Sequence, residues 1–152
     1  MAYGVSMKFV NREHFFGRLL AIVPEAEKEL ADANQKSAQA MVDMAKRLAP
    51  FISGKLHDSI RLEPGEKFGS WLVRAGGPTT TKSVRAGVKV FYDYALGIEF
   101  GHKSRPNKSG GTQSVAKEPF FWPAYRAQKR PAKGRATRAL KKAIKAKGFG
   151  NG

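Results

Sequence analysis

The chain has 152 residues, with 28 Lys or Arg against 12 Asp or Glu, a formal charge of +16 and a pI near 10.4. That length supports one domain with a core that needs no staples, and the lack of cysteine excludes disulfide scaffolds and cysteine zinc sites. The surplus of cations predicts attraction to polyanions, while no run nears the roughly 20 apolar residues of a membrane-spanning helix.

At the N-terminus, Lys8, Asn11, Arg12 and Glu13 interrupt the apolar residues, so no leader-like stretch is expected. Val5–Val10 alternates weakly and predicts an edge strand. Asn11 is an N-cap candidate with Glu13 in the first turn, and Phe15, Phe16, Leu19, Leu20 and Val23 recur at helical spacing. Pro24 stands where a second helix begins. Ala26, Leu30, Ala33, Ser37, Ala40, Met41, Met44 and Leu48 then form one stripe. Glu25, Glu27, Glu29 and Asp32 sit near its start, and Lys46 and Arg47 at its end. That charge order matches the helix dipole. The small residues of the stripe allow close approach of another backbone, on the chain's own sheet or on a neighbouring subunit.

Ala49–Ile60 reads as a joint. Pro50 stops the helix, Gly54 supplies a positive φ for a sharp reversal, and Leu56 and Ile60, with Ser59 beside them, pin the turn to a core. Beyond it the period changes to two. Ser59–Leu62 starts a strand, Pro64-Gly65 signals a turn, and Ser70–Gly76 and Gly87–Tyr92 alternate. Gly77–Ala86 is polar and reads as a long hairpin loop. The expected fold is α+β, with the long N-terminal helix packed on an antiparallel sheet and a basic C-terminal helix.

Tyr94–Gly101 suits either a short helical turn or a last strand. His102–Lys117 is a long polar loop, functional or mobile. Glu118–Ala124 places three aromatics between two prolines as an anchor, with Pro123 opening the final helix. That helix is expected to run through Gln128, break at Pro131–Gly134 and resume with Ala136, Ala139, Leu140, Ala143 and Ile144. Residues 1–128 are thus expected as the α+β domain and 129–152 as a basic extension, part of it or a tail.

Catalytic chemistry finds little support. His14, His57 and His102 are scattered without metal-ligand spacing. Ser53, His57 and Asp58 are adjacent on a short segment with no nucleophile elbow around the serine. No phosphate-binding glycine loop is present. We therefore expect no enzyme activity, no metal and no cofactor.

The basic C-terminal segment has two readings. From Pro119 onward there are 10 basic residues and no acidic one, whereas Met1–Leu48 is nearly balanced, with 7 basic and 6 acidic. Arg126, Lys129, Arg130, Lys133, Arg135, Arg138, Lys141, Lys142 and Lys145 either form a solvated helix face or contact phosphates without reading bases.

Three blocks occur in order: Ala49-Pro50, Ser53-Gly54, Leu56 and Ser59-Ile60; Tyr94-Ala95 and Glu99-Phe100-Gly101; Pro119-Phe120 and Pro123-Ala124. Together they resemble the tail-completion or head–tail joining proteins of long-tailed bacteriophages, over roughly residues 11 to 128. Ser53 stands where that family usually has Thr, His102 where Thr commonly follows the glycine, and the extension beyond Gln128 is longer. The resemblance implies an α+β structural subunit of the virion neck, made in the host cytoplasm. It would close into a homo-oligomeric ring, six-fold, between head connector and tail tube, with DNA passing through its channel and no membrane partner. The alternative is a non-specific nucleic-acid-binding protein that uses its basic C-terminal helix.

Overall fold

Acidic Glu25 and Glu27 in the first turn, and Lys46 and Arg47 in the last, bracket a 25-residue helix, α1, Pro24–Leu48. A computed structural model describes residues 24–51, 54–83, 89, 91–103 and 114–146. The expected edge strand Val5–Val10 and the helix over 11–23 lie outside these residues. So do Ser53, residues 84–88 and 90, residues 104–113 of the long loop, and the tail from 147.

After α1 come α2 (Lys55–Ser59), β1 (Arg61–Pro64), β2 (Trp71–Arg74), β3 (Thr81–Ser83) and β4 (Phe91–Asp93). Then follow α3 (Tyr94–Phe100), β5 (His102–Lys103), β6 (Ser114–Val115) and α4 (Phe121–Ala146). The fold is mixed α+β, as the change of period predicts.

α1 and α4 lie antiparallel. Ala26 packs against Ala143 near the start of one helix and the end of the other, while Val42 and Ala45 share a core with Ala124. The small residues therefore serve mainly a second helix, and the β1–β2 ladder takes a smaller share of α1. The inward face also rotates along α1. Ala26, Ala33 and Ser37 point inward as expected, but then Val42 and Ala45 do so, and Leu48 is exposed. The second half of α1 meets the core around Ile60 and Phe120 instead of α4's later turns, so the buried side shifts.

The expected single sheet is three separate two-stranded antiparallel ladders, β1–β2, β3–β4 and β5–β6. Gly76 and Gly77, at φ 91° and 125°, turn the chain away after β2, so β3 starts a new ladder. That also corrects the reading of Gly77–Ala86 as loop throughout. Thr81–Ser83 pairs with Phe91–Asp93, from Thr81↔Asp93 to Ser83↔Phe91, and Thr80 is fully buried. The expected strand Gly87–Tyr92 is seen here as Phe91–Asp93, and the last element before the long loop is helix α3. At the long loop's ends, His102 and Lys103 pair with Val115 and Ser114.

The predicted break at Pro131–Gly134 is absent. α4 runs unbroken for 26 residues with Pro131 inside it. Proline removes one helical hydrogen bond, at a cost of roughly 3 kcal/mol. Here the carbonyl left without a donor belongs to exposed Ala127, where water can satisfy it. Packing on α1 both before and after Pro131 holds the helix together. The final helix also starts two residues before Pro123, at Phe121.

Candidate assembly and nucleic-acid surfaces

The three blocks singled out in the sequence meet in one core. Ala49, Leu56 and Ile60 from the first, Ala95 and Ile98 from the second, and Phe120 and Ala124 from the third pack together with Val42 and Ala45. Each block also fixes a backbone junction. Pro50 follows the end of α1, and Gly54 takes φ 72° at the head of α2, as the turn requires. Buried Ser59 donates from Oγ to the Leu56 carbonyl at 2.6 Å and accepts from the Gly76 N–H at 3.1 Å. It thus ties α2 to the end of β2. The Arg61 guanidinium reinforces the tie through the carbonyls of Ser59, at 3.1 Å, and Gly76, at 2.8 Å.

In the second block, Asp93 caps α3 by accepting from the Ala95 N–H at 3.0 Å, and its other oxygen accepts from Gly77 N–H at 2.9 Å. Tyr94 is half-buried against the core. Glu99 is buried, and its carboxylate accepts three backbone N–H groups: Phe120 and Phe121 at 2.8 Å and Trp122 at 3.0 Å. It supplies from a distant segment the acceptors that the first turn of α4 needs. Gly101, at φ 70°, ends α3, and exposed Pro119 leads into buried Phe120. The capping role of Glu99 escaped sequence reasoning, because an acidic residue 22 positions before the first residue of a helix carries no periodic signal.

Of the Ser53, His57 and Asp58 grouping, Ser53 lies outside the described residues, and His57 is turned to the end of α1. Its Nε2–H donates to the Ala49 carbonyl at 3.0 Å, and its ring meets Phe51 edge-on. Among the described residues, no group of three or more His, Cys, Asp or Glu side chains is placed to hold a metal. No described helix is long and apolar enough to cross a membrane.

Two surfaces stand out. The first is apolar. Leu96 and Phe100, four apart on α3, are 59% and 61% exposed, and Leu72, Trp122 and Tyr125 are also exposed. They border two adjoining grooves of about 510 and 260 Å³ that share Phe121 and Trp122 as walls. Gln128 lines the larger groove, and its Oε1 is buried without a hydrogen-bond partner. Unburied apolar area of this kind marks an interaction site more often than a solvent face.

The second surface is cationic, and the structure divides the nine basic residues of α4. Two turn back to α1: Lys142 pairs with Glu29 at 2.8 Å, and Arg135 reaches Ser37 Oγ at 3.5 Å. The hydrogen bond and charge of Glu29 hold the Lys142 amine above the usual lysine range. Arg138 shares a groove with Glu29 and Asp32, and Lys129 lies over the Tyr125 ring, 6.0 Å from its centre. Arg126, Arg130, Lys133, Lys141 and Lys145 face away from α1 and are exposed. Comparison of the chain with protein-family models, curated proteins and solved structures gives no match.

Proposed function

We propose that the chain is a structural subunit of the neck of a long-tailed phage, closing into a six-fold ring at the head–tail junction through which DNA passes. The observation that carries this reading is the meeting of the three blocks in one core, with Glu99 of the second capping the helix that the third opens. Residues far apart in sequence, which the resemblance groups together, thereby act as one packing unit. The exposed Leu96, Phe100 and Trp122 support assembly, because a closed ring requires a head-to-tail joint between unlike faces of identical copies. In this reading the subunit has no catalytic role. Its partners are its own copies, the head connector and the tail tube.

The test is mass measurement of the purified protein alone and with tail tubes, followed by imaging at low resolution. A closed ring, or one that forms on the tube end, is the expected result. A species that stays monomeric and ignores tail tubes overturns the reading. It would favour the second one, a non-specific nucleic-acid-binding protein, which the outward cations of α4 support.

A further inference from the structure

Arg126, Arg130, Lys133, Lys141 and Lys145 recur every three or four residues, with Thr137 filling the gap, on the side of α4 away from buried Ala124 and Ala143. At 1.5 Å rise per residue the row is roughly 29 Å long. Among the described residues none of the five is in an ion pair, and α4 has no acidic residue of its own. We propose that this row holds duplex DNA by its phosphates without reading sequence. The proposal rests on the neck reading in one respect, that duplex DNA is what passes the ring. It adds the surface that meets it.

The choice of occupant follows from charge and shape. A row of one sign along a single helix, close in length to the roughly 34 Å of one duplex turn, complements a linear polyanion. An anionic membrane requires apolar side chains turned outward all along the cations, whereas the large exposed apolar side chains of α4, Trp122 and Tyr125, stand only at its first turns, and Ala124, Leu140 and Ala143 are turned inward. A second copy cannot lay the same row against this one, because like charges would meet. The row therefore belongs on an open face of the assembly, such as the channel wall, and the subunit joint lies elsewhere. Neither Asn nor Gln occurs in the row, so the side chains that pair with adenine edges are missing.

The experiment measures binding of the full chain to two labelled duplexes of unrelated sequence across a salt series. Variant one carries Arg126→Gln, Arg130→Gln, Lys133→Gln and Lys141→Gln. Variant two removes equal charge from exposed positions elsewhere, with Lys28→Gln, Lys36→Gln, Arg47→Gln and Lys55→Gln. The slope of log affinity against log salt should shrink by about 3 to 4 in the first variant, for both duplexes alike, and by less than about 1 in the second. Equal weakening in the two variants overturns the proposal. So does a wild-type chain that separates the two sequences, or that binds phosphatidylglycerol vesicles better than DNA at equal salt. Thermal melting run alongside controls for folding. If the first variant melts early, the pair Lys133→Gln and Lys141→Gln alone should still reduce the slope by about 2, and an unchanged slope counts against the row. Masses of the same samples separate the two ideas. A first variant that forms rings and binds DNA like wild type sinks the row and spares the ring. A wild type that never forms rings, yet binds DNA through the row, sinks the ring and spares the row.

Discussion

The Glu99 carboxylate accepts the N–H of Phe120 at 2.8 Å across 21 residues of sequence, and those of Phe121 and Trp122 with it. One buried side chain thus links the end of α3 to the start of α4. Glu118 N–H adds a second tie by donating to the Ile98 carbonyl at 2.7 Å.

Glu99→Ala should be among the most damaging single changes in the fold. It leaves three donors at the head of α4 without their acceptor, at a cost of about 2 to 4 kcal/mol. Glu99→Gln keeps one carbonyl oxygen and loses the charge, and should cost about half as much. Urea unfolding of both variants checks the order, and equal stability of wild type and Glu99→Ala would refute the capping role.

Two glycines should fail for different reasons. At Gly54 a methyl group would meet only the Phe51 ring, at an ordinary 3.8 Å, so the cost of substitution comes from φ 72° alone. Gly54→Ala should lose about 1 to 2 kcal/mol, Gly54→Asn less, and Gly54→Val enough to block folding or assembly. Gly97 lies inside α3, where any residue suits the backbone, but a methyl group there collides with the Tyr92 hydroxyl and sits 2.9 Å from His102 Nδ1. Gly97→Ala should cost about 1 to 3 kcal/mol and break the 3.2 Å contact between Tyr92 and His102. Melting curves, with a Tyr92→Phe background to relieve the clash, distinguish strain from crowding: only Gly97→Ala should be rescued.

Much of this was legible in the chain itself, and what was missed has physical causes. The charge order of α1, the reversal at Gly54 and the anchoring of Leu56 and Ile60 follow from local rules, and all three are present. The antiparallel pairing of α1 with α4 was not readable, because small residues announce close approach without naming the partner. Pro131 misled because its local cost is outweighed by helix packing on both sides of it. Thr80, in a polar stretch, is fully buried because its backbone and hydroxyl both donate to the Gly77 carbonyl. The division of α4's cations into inward and outward sets depends on where α1 lies, which one-dimensional spacing does not contain.

Tyr92 should titrate late. Burial, and then the charge of neighbouring Asp93, hold its hydroxyl above the ordinary tyrosine value. With a raised value, whatever stability the protonated phenol contributes is present below the unfolded-state value and is lost as pH rises through the folded one. Ultraviolet titration of the wild type should show a high-pH step that Tyr92→Phe removes. Asp93→Asn should move that step down only part of the way, since burial is the larger cause. A Tyr92 step at or below the ordinary value would contradict this account.

The apolar face around α3 gives the sharpest separation between folding and assembly. Leu96 and Phe100 alternate with buried neighbours: Ala95, Ile98 and Glu99 point into the core while these two point out. Replacing an exposed side chain removes no core contact, so Leu96→Glu and Phe100→Glu should leave the monomer's melting temperature within the range of ordinary surface changes, about 0.5 kcal/mol. In a ring joint the same changes would place carboxylates against apolar surface, a penalty of several kcal/mol for each unpaired charge. If this face is the joint, the double variant should fold as a monomer and fail to form rings at any concentration where the wild type does. Native mass measurement at matched concentrations decides it. Rings formed as readily by the double variant would move the joint to another face, and a variant that unfolds would show that Leu96 and Phe100 support the monomer.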